Sequence, residues 1–270
     1  MKKILIILNL SHTPPQLIKT AVKIAKESDS FLEAIFLNDT ASPNFSYPFP
    51  NDMYLTGEHA SVKKRSEESM ELMLSIAAEF RDECEIEEIQ FNMEIDRTVS
   101  VAHLITLSRF ADLVIADSKS DSDEYNLRDL LADAHCPLML VSKNAAPFQK
   151  IFVAYDGTAS SMYALKMFSY IFPEYKNYPV HFFQIANADT GTIQHLDEIK
   201  SWASKHFSNI KFKLITGTVK NELVEYIRQN SEKIILVMGA YSGSAIARLF
   251  LKSTAELVIN ETSASLFITH

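Results

Sequence analysis

An unbroken apolar run, Ile4-Leu5-Ile6-Ile7-Leu8, ends at Asn9, and a second run, Ile151-Phe152-Val153-Ala154, ends just before Asp156. Short apolar runs without polar alternation read as strands buried on both faces. A helical spacing follows each. In the first, Thr13 is the expected cap and Pro14 the expected first helical residue, with Leu17, Ala21, Ile24 and Ala25 on one face. In the second, a helix starting at Ser160 or Ser161 carries Ala164, Leu165 and Phe168 inward. The pattern then continues in parallel along both halves. Strands are expected at 31–37 and 180–186, helices near 61–80 and 192–206, and strands at 86–95 and 210–216. Helices at 99–110 and 219–230 follow, then strands at 113–116 and 234–238, and last strands at 138–141 and 266–269. The order βαβαβαβαβ thus occurs twice. This predicts an α/β protein of two repeated five-stranded parallel-sheet domains with helices on both faces.

Asn144-Ala145-Ala146-Pro147 separates the last strand of one copy from the first strand of the next, so the expected domains are 1–143 and 148–270. The copies are unequal. The first carries a long insertion at 39–60, with Pro43, Pro48, Pro50 and several aromatics, which reads as an irregular loop or lid. Five of the six glycines (Gly157, Gly191, Gly217, Gly239 and Gly243) lie in the second copy, and only Gly57 in the first. Where the second copy has Gly239-Ala240-Tyr241-Ser242-Gly243-Ser244, the first has Asp117-Ser118-Lys119-Ser120-Asp121-Ser122-Asp123-Glu124. Charge divides the same way. Residues 1–147 hold 14 basic against 24 acidic side chains, and the remainder 12 against 10. An anion is therefore disfavoured at the first copy and met by a near-neutral field at the second.

In open parallel sheets, ligands sit beyond the carboxyl ends of the strands where strand order reverses. With first and fourth strands adjacent there, Asp156 faces Gly239 across one crevice. Asp156 can accept from an adenine amino group or a ribose hydroxyl. The turn at 239–244 and the Ser253 and Thr254 hydroxyls can donate to phosphate oxygens, and a following helix adds its positive N-terminus. A simpler reading stands beside each. Asp156 can cap its own turn, Gly239 and Gly243 can serve a tight strand-to-helix turn, and Arg248 can lie on a solvated face.

These residues carry a family resemblance: the chain resembles a tandem universal stress protein. Such domains open with an apolar strand ending in aspartate and a Gly-Ser-type turn, which Ile151 to Thr158, with Asp156-Gly157-Thr158, matches. Their nucleotide-binding members carry G-x2-G-x9-G-S/T after the fourth strand. Without a gap, Gly239, Ser242, Lys252 and Ser253 take those places; one step of register brings in Gly243 and ends on Ser253-Thr254. In the first copy Asn9 replaces the aspartate. The resemblance implies the strand order 3-2-1-4-5 in each half. It also implies a nucleotide site formed by Asp156, Gly157, Thr158, Ile185, Gly239, Ala240, Tyr241, Ser242, Gly243, Ser253 and Thr254. The ligand it implies is ATP or another adenine nucleotide, with Mg as its companion ion, and the function is stress-response regulation. It further implies pairing of the last strands, within one chain as a pseudo-dimer or between chains as a homodimer.

Other classes are disfavoured. A net charge of −8 argues against nucleic acid. Cys84 and Cys136 form no CxxC pair and fit a reducing cytoplasm, and the eight histidines show no metal spacing. No run approaches the roughly 20 apolar residues of a membrane helix. Lys2 to Leu8 reads as a strand rather than an export signal, because the same pattern recurs at Lys150. No Ser-His-Asp set, carboxylate pair or Walker-type GK[ST] stands where catalysis needs it, which weighs against an enzyme beyond slow nucleotide hydrolysis. The alternative within the same family is an interaction scaffold that binds no nucleotide.

Overall fold

A computed structural model describes residues 1–9, 13–37, 56–98, 100–118, 127–142, 147–186, 191–230, 233–239 and 264–269. The first half runs β1 (Lys2–Asn9), α1 (Pro15–Glu27), β2 (Ser30–Leu37), α2 (Thr56–Ile86), β3 (Phe91–Thr98), α3 (Val101–Ser108), β4 (Leu113–Asp117), α4 (Leu127–Asp133) and β5 (Leu138–Val141). The second runs β6 (Lys150–Ala154), α5 (Ala159–Ile171), a 3-10 turn (Pro173–Asn177), β7 (Pro179–Ala186), α6 (Leu196–His206), β8 (Asn209–Thr216), α7 (Val219–Asn230), β9 (Ile234–Gly239) and β10 (Ser265–Thr269).

The strands form one sheet in the order β3-β2-β1-β4-β5-β10-β9-β6-β7-β8. Among the described residues every neighbouring pair is parallel except β5 and β10, which run antiparallel with Leu266 opposite Leu140 and Ile268 opposite Leu138. Within each half the five strands are parallel, and the expected pairing of the two last strands joins the halves into a single mixed sheet. Its strands are apolar on both sides because helices cover both faces. Ile4, Ile6 and Leu8 point into one hydrophobic cluster with α1, α2, α5 and α6. Leu5 and Ile7 point into the other, with α3, α4 and α7. Each cluster runs through both halves of the chain, so the core is divided by sheet face rather than by sequence copy. On the first face Phe168 and Phe172 meet Phe267 edge-on. There Tyr175 donates to Glu27 Oε2 at 2.7 Å, tying the second half to α1.

Several local expectations change. Pro14 is the N-cap of α1 and Pro15 the first helical residue, without a side-chain cap. The Thr13 hydroxyl instead donates backward to the Asn9 carbonyl at 2.6 Å. The expected loop at 39–60 ends early, because α2 has already begun at Thr56 and includes Gly57; residues 38–55 lie outside the described residues. α2 continues to Ile86, so β3 begins at Phe91 and not at 86: Ile86 and Ile89 imitate a strand pattern at the end of a helix. α6 starts at Leu196 rather than 192. Of the expected boundary at 144–147 only Pro147 is among the described residues.

Candidate functional site

β6 leaves the sheet at Tyr155, whose N–H donates to the Phe183 carbonyl at 3.0 Å. The chain then turns sharply. Asp156 Oδ1 accepts from the Thr158 N–H at 3.0 Å and from the Thr158 hydroxyl at 2.6 Å. Thr158 in turn caps α5 by accepting from the Ser161 N–H at 3.3 Å. Asp156 therefore does cap its turn, as aspartates in this position do. Both bonds use Oδ1. Gly157 sits at φ +77, in the left-handed region where a side chain is strained.

β6 lies directly beside β9, with Val153 opposite Val237. Continuing that register, Gly239 ends β9 at the level of the Asp156 turn. Gly239 presses on the first turn of α5: a methyl group at residue 239 would lie 2.2 Å from Ser160 Oγ and 2.7 Å from the Ser160 carbonyl oxygen. Two hydroxyls border this contact. Ser160 Oγ and Thr269 Oγ1 are buried and, among the described residues, have no hydrogen-bond partner. Thr269 is the register partner of Gly239 on β10. Buried hydroxyls without partners are rare, because each costs free energy when desolvated. Neither hydroxyl stood out in the sequence; only the adjacency of β9, β10 and α5 brings them to one place.

Asp156, Gly157, Thr158 and Gly239 thus converge at one end of the sheet, above the N-terminus of α5. Ile185, near the end of β7, is buried in the cluster on the other face with Ala154 and Met238. Ala240, Tyr241, Ser242, Gly243, Ser253 and Thr254 lie outside the described residues, as do Arg248 and Lys252. Tyr155 is buried, and burial, with the charges of Asp156 and Glu198, pushes its phenol up from 10.0.

The first half differs at the matching places. Asp117 stands opposite Val141 as Gly239 stands opposite Thr269. It is 6% exposed, and the neighbouring Asn9 is 8% exposed. A buried carboxylate therefore occupies the position where the second half has no side chain at all. The rest of the acidic run, residues 119–124, lies outside the described residues.

No protein-family model matches the chain. A universal stress protein of Synechocystis sp. is 23% identical over 161 residues, which spans 56% of this chain and about half, 55%, of that protein. The crystal structure of a universal stress protein from Archaeoglobus fulgidus DSM 4304 superposes over 99% of this chain and 95% of its own, with a TM-score of 0.68 and 15% identity. The chain has the fold of that universal stress protein. A structure from Pseudomonas aeruginosa UCBPP-PA14 bearing the same family name agrees over 99% of this chain and 92% of its own, with a TM-score of 0.57 and 14% identity. The likeness at this identity concerns the fold. Among the described residues no helix is long and apolar enough to cross a membrane, and no group of three His, Cys, Asp or Glu side chains could hold a metal ion.

Proposed function

We propose that this chain is a universal stress protein, a cytoplasmic stress-response regulator that takes an adenine nucleotide in the crevice of its second half. On this reading 1–143 and 148–270 are two copies of one domain, and only the second retains a working site. The observation that carries it is a pair of buried hydroxyls beside the N-terminus of α5, those of Ser160 and Thr269. Among the described residues neither has a hydrogen-bond partner. Hydroxyls and N-terminal N–H groups suit phosphate oxygens. The Asp156 carboxylate suits an amino or ribose donor. The local charge agrees, since residues 148–270 carry 12 basic against 10 acidic side chains. Ala240, Tyr241, Ser242, Gly243, Ser253 and Thr254 would complete the cradle, and Mg would arrive with the phosphates.

Calorimetric titration of the intact protein with ATP, ADP and AMP tests the reading. It requires saturable binding by at least one of them that is lost in Asp156→Ala. Absence of binding by the unaltered protein contradicts it.

A second reading, an interaction scaffold without nucleotide, is favoured by one finding: packing against Ser160 by itself demands glycine at 239. It requires a melting temperature unmoved by millimolar nucleotide. A ligand-dependent rise excludes it, because a ligand that binds only the native state stabilises that state.

A further inference from the structure

We propose that Gln194 contacts the ligand, hydrogen-bonding the same base-and-ribose end of the nucleotide that is read at Asp156. The inference rests on the nucleotide reading above and adds a residue to it.

Residues 191–195, just before α6, hold one side chain in place. Ile193 is buried at their centre. The Gln194 N–H donates to Gln184 Oε1 at 2.9 Å. Gln184, carried by β7, is only 4% exposed. A buried carboxamide is costly unless bonded, so this bond fixes the segment to the sheet. His195 then takes φ 51, a left-handed conformation uncommon for a residue with a side chain, and turns the chain into α6. Strained residues persist where the surroundings over-determine them, and they cluster at binding sites.

The product of this arrangement is that Gln194 lies over the Asp156 turn. A methyl group at Gly157 would stand 2.3 Å from Gln194 Oε1 and 2.8 Å from its Cβ. Glycine at 157 thus serves two needs at once: the positive φ and the close passage of Gln194. The carboxamide stands one residue from Asp156 and offers a neutral donor and a neutral acceptor.

Charge sets the direction of the ligand. Asp197 and Glu198 open α6 directly after this segment and, with Asp156, make this end acidic. Phosphates are repelled there. At the other end the Ser160 and Thr269 hydroxyls stand beside Gly239 at the start of α5. An uncharged heterocycle or ribose fits the Gln194 end, and anionic oxygens fit the Gly239 end.

The experiment compares ATP with adenosine, which lacks the phosphates, by calorimetry on the intact protein. Gln194→Ala weakens both ligands by the same factor, about tenfold, the loss of one good hydrogen bond. Ser160→Ala weakens ATP and leaves adenosine unchanged. Gln194→Glu, which keeps the size and replaces the amide, weakens both at least as much as Gln194→Ala. Gln194 is exposed, so the melting temperature without ligand stays close to that of the unaltered protein in both variants. If the protein binds ATP and Gln194→Ala changes neither affinity, or changes that for ATP alone, the inference is overturned and the nucleotide reading stands. If the unaltered protein binds neither ligand, both are overturned.

Discussion

Gly239 abuts Ser160 so closely that a methyl group on residue 239 would lie 2.7 Å from both the carbonyl carbon and the carbonyl oxygen of Ser160. Backbone cannot yield as a flexible side chain can, so β9 and α5 have room for no side chain between them. Gly239→Ala should destabilise the protein by about 2 kcal/mol or more, the usual cost of overpacking against fixed atoms. Urea denaturation read by circular dichroism would show the midpoint fall. An unchanged midpoint would mean that the two elements are less tightly placed.

Asp156 has a structural duty and a proposed binding duty. Asp156→Ala removes two bonds to Thr158, and Thr158 caps α5, so a loss of about 1–2 kcal/mol is expected in the same assay. Asp156→Asn keeps one acceptor oxygen. It should recover most of the stability while nucleotide affinity stays low.

Both thiols should be inert in the native state. Burial, with Glu83 and Glu85 nearby, pushes Cys84 up to about 12. Burial and the charge of Asp112 do the same for Cys136, also to about 12, against a weaker opposing bond from the Val114 backbone. The thiolate is the reactive form. Iodoacetamide at neutral pH should leave the folded protein unmodified and label two cysteines once urea unfolds it, as read by mass spectrometry.

The join between the halves carries a pH dependence. Burial raises the Glu174 carboxyl above the usual 4.5, and the charge of Glu27 adds to this; a main-chain hydrogen bond and Lys2 at 3.8 Å oppose it less strongly. A carboxyl raised in the folded state binds its proton more tightly there than in the unfolded chain. Its stabilising contribution is thus complete below 4.5 and is lost as pH rises through the raised folded value. Glu174→Gln should flatten this part of the stability profile above 4.5, measured as urea midpoints against pH.

How far the sequence foretold the molecule varies with the kind of signal. β1, β5 and β9 were plain because a strand covered on both faces has no polar position, and few other structures need that. The end of α2 was misread because Ile86 and Ile89 are apolar and closely spaced in a region where helix and strand periods coincide. Thr13 was misread as a cap because the sequence does not say that its hydroxyl turns back to Asn9. The adjacency of the Asp156 turn and Gly239 was legible, because both residue types are distinctive at strand ends. Ser160, Thr269 and Gln194 gave no signal, because their roles come from contacts between distant strands and helices and not from local pattern. Asp117 was visible as an acid at the place of a glycine, but its burial was not.

The central claim is that the two crevices are chemically unequal. A crystal structure of the protein grown with ATP tests this most directly. The account predicts density at the carboxyl ends of β6 and β9, within hydrogen-bonding distance of Asp156 and of the backbone at Gly239, and none beside Asn9 and Asp117. Nucleotide density beside Asn9 and Asp117 instead, or in both crevices alike, would contradict it.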